Sequence, residues 1–418
     1  MPVSKSSKPA TPSKHYENAA RISHSFVTQP FRPSWFASNP HFQTIVGTLF
    51  RKETMYSSQF FNVTEKLSSF SLSKNKLPFQ WDRRERVETL DGDFFHVDWK
   101  FHPRSLSTEG STTSVSSAPI VLICHGLETN SNSPLCQEMA VAFNKQRMDA
   151  ACINFRGCSG VPNLTPKGYH VGYTDDLLWQ IQLLNQQYPQ RRIYLAGFSL
   201  GAGVVTKLLT ELQDEAYKFN IAGAAVNAVP FDLTQSSASL NEDGFAKRVY
   251  GDRILKSMKQ RLYQQYEMCD FPFDRAEIDR CQTIMDVENL VIASTFGFDD
   301  AWDYYDKCKT IDKLDLVCVP QYIIQSLDDP FFEGMQYPDN NPEIPIHIHY
   351  TEFGGHCGYI FKQVTQASND EMELSWMPVQ LARFLAHVEA NTSGGDKQQT
   401  KNGATSFTTD ALVVPTKR

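Results

Sequence analysis

None of the nine cysteines forms a Cys-x-x-Cys pair. That leaves out the usual zinc-ribbon and thioredoxin-type motifs. No other grouping of His, Cys, Asp and Glu has metal-ligand spacing, so neither a metal nor a cofactor is expected. No apolar run approaches the roughly 18 residues of a membrane span. There is no block of basic residues and the formal net charge is −7, which argues against a nucleic-acid partner. Residues 1–25 lack the apolar core of a secretory signal. Internal repeats are absent.

The cysteine count is odd, and Cys124 and Cys152 sit inside apolar runs. Such residues read as small buried hydrophobes in a reducing compartment, and the expected location is cytoplasmic. A transient contact with lipid through an apolar lid stays open.

The chain has 418 residues, 41% of them hydrophobic and 12% aromatic, enough for one large α/β domain. Residues 1–25 and 391–418 read as disordered tails and residues 26–390 as the folded domain. The Ser/Thr-rich stretch Ser105 to Ala118 reads as a surface loop.

Between the tails, strand and helix patterns alternate. Strands are predicted at Phe94 to Phe101, Pro119 to Cys124, Ala150 to Phe155, Ile193 to Ala196, Ile221 to Val229, Val319 to Gln325 and Ile346 to Tyr350. Helices are predicted after the caps Ser133 and Thr174, from the turn at Ser199 to Leu212, and over Pro378 to Val388. Repeated alternation means a mostly parallel central sheet with helices on both faces. The aromatic- and Met-rich insertion at about residues 231–318 reads either as a helical lid or as extra core helices.

Gly197-Phe198-Ser199-Leu200-Gly201 follows one apolar run and opens a helix. This is the setting of a nucleophile elbow, a sharp strand-to-helix turn that lifts a serine oxygen out of the sheet. A serine hydroxyl needs a base to take its proton and an acid to orient that base. Both follow in the chain order serine, acid, histidine. Asp328 and Asp329 come just past one predicted strand, and His356 lies between Gly355 and Cys357 just past another. Asp328, the first off its strand, is preferred as the acid; Asp329 precedes proline and is the other candidate. An oxyanion needs backbone N–H donors. Leu200 follows the nucleophile, and Leu127 lies in the turn His125-Gly126-Leu127-Glu128 after the first apolar strand. Arg156 and Cys158 are read as structural. His170 and Asp175 have a spacing found in some acyltransferases, but helix capping explains it better.

Together these strings resemble the YheT-type α/β-hydrolases. They are Asn39 to Ile45, His125 to Glu128, Asn154 to Gly160, Gly197 to Gly201, Asp328 to Phe331 and Gly354 to His356. The resemblance implies an α/β-hydrolase fold with a catalytic triad of Ser199, Asp328 and His356. It also implies small or lipid acyl esters as substrates. In one place the chain departs from many members: Thr129 follows Glu128 where they carry glycine. The expected activity is a serine esterase or lipase on short- to medium-chain acyl esters or acylglycerols. The alternatives are acyl transfer from acyl-CoA to an alcohol or lysolipid, and a non-catalytic binding relative.

Overall fold

The strands are β1 (Arg83–Glu88), β2 (Phe94–Lys100), β3 (Ile120–Cys124), β4 (Asp149–Asn154), β5 (Ile193–Phe198), β6 (Ile221–Asn227), β7 (Gln321–Ser326) and β8 (Ile346–Thr351). They form one sheet in the order β1-β2-β4-β3-β5-β6-β7-β8. The structure, a computed structural model, describes residues 13–33, 35–55, 79–103, 117–360 and 374–399. From β4 to β8 neighbouring strands pair in parallel. β2 runs antiparallel to both of its neighbours.

β3, β4 and β5 are buried along their whole length. That is why they read as near-continuous apolar runs: a parallel sheet is covered on both faces. The chain steps one way from β3 to β4 and the other way from β4 to β5 and β6. Right-handed crossovers therefore put the helix Pro134–Lys145 on one face and Asp175–Gln187 and Leu200–Leu212 on the opposite one. The C-terminal helix Trp376–Gln399 packs on β6 and on Pro134–Lys145.

The structure departs from the sequence-based outline at several points. A helix, Lys14–His24, lies inside the stretch expected to be a tail, and it buries Ala19, Ala20, Ile22 and Ser23. Ser13 caps it, and the Ser23 hydroxyl donates to the carbonyl of Pro345 at 2.7 Å, tying it beside β8. The C-terminal helix runs on to Gln399, past the expected boundary at residue 391. β1 was not anticipated, because Arg83, Arg84, Glu85 and Arg86 carry too little apolar signal. Its charged edge is held by cross-strand contacts instead, with the Trp99 indole donating to Glu85 at 2.6 Å and Arg86 lying over the Phe94 ring. Most of the Ser105 to Ala118 stretch and residues 400–418 lie outside the described residues.

The insertion between β6 and β7 is helical. Leu255, Met258, Leu262, Ile278, Ile284, Val287 and Val291 form a cluster of their own, separate from the core around the sheet. Its longest helix is Asp252–Tyr266.

Arg156 shows how the loops on one side are fastened. It is 1% exposed, and its guanidinium donates to both oxygens of Asp176 at 2.7 and 2.8 Å and to both of Asp91 at 2.8 and 3.1 Å. Buried Asp93 lies 3.6 Å away. Arg156→Leu would leave these carboxylates without their cation. It is expected to lower the unfolding free energy by about 3–5 kcal/mol in urea titrations; an unchanged midpoint would contradict this structural role.

Candidate active site

The turn out of β5 is set by what cannot fit there. A Cβ on Gly197 would sit 2.8 Å from the backbone of Gly201, and one on Gly201 only 2.2 Å from the carbonyl oxygen of Cys124. With both positions bare, strand and helix approach closely enough that Ser199 takes φ 54°, ψ −128°. A non-glycine residue held there costs on the order of 1–3 kcal/mol and persists only where its surroundings fix it. The Ser199 N–H donates to the carbonyl of Asn227 at 2.9 Å, and helix Leu200–Leu212 begins at once.

The loop after β8 delivers the histidine. Gly354 and Gly355 adopt φ 153° and 55°, and a Cβ on Gly355 would lie 2.4 Å from the carbonyl oxygen of Pro40. His356 Nε2 lies 2.9 Å from Ser199 Oγ. Its Nδ1 lies 2.8 and 3.1 Å from the two carboxylate oxygens of Asp329. A carboxylate only accepts, so the proton belongs on Nδ1, and Nε2 is left to accept from the serine hydroxyl. Phe331 stacks on the imidazole with centroids 3.8 Å apart and planes within 5°, and Phe332 meets it edge-on.

The acid beside the imidazole is thus Asp329, and the preference for Asp328 is corrected. Asp328 faces its own loops: its Oδ1 accepts from the Gly355 N–H at 2.8 Å and from the Ser326 hydroxyl at 2.5 Å. Burial pushes its pKa up. The reason for the swap is local. Leu327 still pairs with β8 through Thr351, so Asp328 remains beside the sheet. Pro330 keeps Asp329 out of the helical region, and Asp329 Oδ1 accepts from the Phe331 N–H at 2.9 Å. The Asp-Pro pair was the sequence signal that deserved more weight.

Leu127 and Leu200, the expected N–H donors, both line the cavity into which Ser199 and His356 open. Neither N–H is taken by a protein acceptor among the described residues. His125 shapes the first of these turns. Its Nδ1 lies 2.8 Å from the Gly126 carbonyl, and its Nε2 accepts from the Phe155 N–H at 3.1 Å. Burial brings its pKa down to about 4, so it stays neutral.

The stretch Asn39 to Ile45, whose role the sequence alone does not define, supports the histidine loop. Thr44 Oγ1 accepts from the His356 N–H at 2.9 Å and donates to the Pro40 carbonyl at 2.8 Å. The buried Gln43 amide donates to the carbonyls of Ala37 and Ile360 at 2.6 and 3.2 Å, and it accepts from the Ile360 N–H at 2.9 Å. His170 is not brought to the site. It is buried against Phe296 and Tyr304, and burial pushes its pKa down to about 3.

The cavity measures about 560 Å³. Sheet-side residues such as Phe198, Leu135 and Phe331 line it together with Leu233, Leu240 and Ile254 of the insertion. Glu288, on its wall, accepts from the Tyr305 hydroxyl. Burial raises the Glu288 pKa to about 7. The folded state therefore favours the protonated form. The cost of ionising it is absent below the ordinary carboxyl range and grows until the pH passes about 7. Glu288→Gln removes that cost. Its stabilising effect in thermal unfolding is expected to be larger at pH 8 than at pH 5, by up to about 2 kcal/mol. Equal effects at both values would contradict this.

A strand order of this kind, with a serine on the β5 turn facing a histidine after the last strand, defines an α/β-fold hydrolase. The family model described as alpha/beta hydrolase fold matches residues 119–343. The YheT protein of Escherichia coli (strain K12) is 29% identical over 335 residues, covering 79% of this chain and 87% of that protein. A monoacylglycerol lipase of Saccharomyces cerevisiae is 28% identical over 285 residues, covering 66% of this chain and 61% of the lipase. The medium-chain fatty acid ethyl ester synthase/esterase 2 of the same yeast is 26% identical over 297 residues, covering 65% and 62%. The chain belongs to the α/β-hydrolase fold family and is a hydrolase of the esterase and lipase type. Among the described residues no helix is long and apolar enough to cross a membrane.

Proposed function

We infer that this hydrolase is a serine carboxylic ester hydrolase acting on short- to medium-chain acyl esters or acylglycerols through an acyl-serine intermediate. One observation carries the reading: Ser199 Oγ, the His356 imidazole and the Asp329 carboxylate form a continuous hydrogen-bonded chain that opens into an apolar cavity. Ser199 Oγ attacks the ester carbonyl carbon while its proton passes to His356 Nε2. The carbonyl oxygen becomes an oxyanion, held by the N–H groups of Leu127 and Leu200. The imidazolium, stabilised by Asp329, returns the proton to the alkoxide as the C–O bond breaks. Alcohol leaves and Ser199 stays acylated. Water then repeats the sequence and releases the acid.

The apolar walls suit an acyl chain, and the names of the yeast relatives point to acylglycerols and ethyl esters. The second reading, transfer of the acyl group to an alcohol, shares the first half of the reaction. It is favoured by the same apolar lining, which disfavours water as the acceptor.

Purified variants assayed on p-nitrophenyl butyrate and octanoate test the assignment. Ser199→Ala is expected to lower kcat by roughly 10⁵–10⁶. Asp329→Asn is expected to lower it by about 10⁴, and Asp328→Asn by no more than about tenfold. Activity retained in Ser199→Ala, or a larger loss from Asp328→Asn than from Asp329→Asn, would contradict the reading.

A further inference from the structure

Glu128 directly follows Leu127 in the oxyanion turn, and it takes φ 53° without being glycine. Its side chain is 5% exposed and that of its partner Arg261 12%. Arg261 Nε donates to Glu128 Oε1 at 2.9 Å, and the Ser257 hydroxyl donates to Oε2 at 3.2 Å. Ser257 and Arg261 are one turn apart on the same face of Asp252–Tyr266, the longest helix of the insertion. Tyr169 closes the arrangement. Its hydroxyl donates to Glu128 Oε1 at 3.1 Å and accepts from the Glu128 N–H at 2.8 Å, while the Arg261 guanidinium lies over its ring. The same helix contributes Arg253, Ile254 and Ser257 to the cavity wall.

A buried ion pair is a weak device for stability. Desolvation offsets most of the attraction, and an apolar pair of like volume holds a helix as firmly. What this pair adds is direction. It fixes a strained residue adjoining the donor that must meet the oxyanion, and it anchors that residue to the element roofing the acyl cavity.

We propose that Glu128 and Arg261 are positioning residues that latch the insertion helix to the oxyanion turn, so that the Leu127 N–H is in place only while this helix is seated. The inference rests on the serine mechanism above. A seated helix then means both an enclosed acyl chain and a complete oxyanion site. An unseated one opens the cavity and loosens the donor together.

The test compares Arg261→Met, Glu128→Gln and the double variant with wild type on p-nitrophenyl octanoate and on an alkyl trifluoromethyl ketone, whose adduct mimics the tetrahedral intermediate. The latch lowers kcat by roughly 10- to 100-fold in each single variant, less than the roughly 10²–10³ for outright loss of an oxyanion donor, because the donor is loosened rather than removed. KM for the octanoate rises as well because the acyl chain is less enclosed, the ketone's Ki weakens by the factor lost in kcat/KM, and the double variant is no worse than the more impaired single one. A kcat within about twofold of wild type, or a loss carried by KM alone, overturns it. Should Arg261→Met fail to fold, Arg261→Lys reads the same quantity, because lysine keeps the charge but not the planar fork. A kcat loss of about tenfold then supports the latch, and an unchanged kcat overturns it. Ser199→Ala separates the two levels: if it abolishes turnover while the latch variants are fully active, only the latch fails.

Discussion

The chain must pass from β5 into a helix within a single residue, and no side chain can stand between them. Gly197 and Gly201 meet that constraint, and Ser199 takes the unfavourable backbone conformation that results. Gly126 extends the same close packing to the neighbouring turn, where a Cβ would lie 3.3 Å from that of Ser199. The serine oxygen is thereby aimed at one place, and every other part of the site is arranged around it. The strain is held by the ladder bond to Asn227 and by the helix that begins at the next residue.

The histidine is held differently, by loops rather than by a sheet. Two glycines with positive φ bend the chain after β8, and two separate segments fix the result. Asp329 holds the ring, Asp328 holds the N–H of Gly355, and Thr44 holds the N–H of His356 itself. The two neighbouring aspartates thus divide the work, one on the side chain and one on the backbone. Phe331 stacked on the imidazole limits its rotation. Hydrogen bonds with fixed partners cost less than free ones to reorganise during a proton transfer, which is how such a site gains rate.

Much of this was legible in the sequence because the relevant signals are local. β3 and β5 announce themselves through continuous apolar runs, and the elbow through the closely spaced Gly197 and Gly201. His356 stands out as a histidine among glycines rather than on a packed face. What stayed hidden depends on distant partners or on weak apolar signal. The bond from His356 to Thr44 joins residues 312 apart, so the Asn39 to Ile45 stretch has no readable purpose until the fold exists. β1 is stabilised by side chains reaching across to β2, and its own residues are mostly charged. Lys14–His24 offers Ala19, Ala20 and Ile22 in a polar context, too little to mark a helix without the groove it fills. The choice between Asp328 and Asp329 turned on one residue of strand length, below what periodicity resolves.

The central claim is a spatial one: an acyl ester seats with its carbonyl at Ser199, its oxygen between two backbone N–H groups and its chain in the cavity shared by sheet and insertion. A crystal structure of the protein inactivated with p-nitrophenyl octylphosphonate tests this most directly. Phosphorus bonded to Ser199 Oγ is expected, with the phosphoryl oxygen within hydrogen-bonding distance of the Leu127 and Leu200 N–H groups and the octyl chain along Leu233, Leu240 and Ile254. Phosphorus on any other residue, or a phosphoryl oxygen pointing away from both N–H groups, would contradict the account.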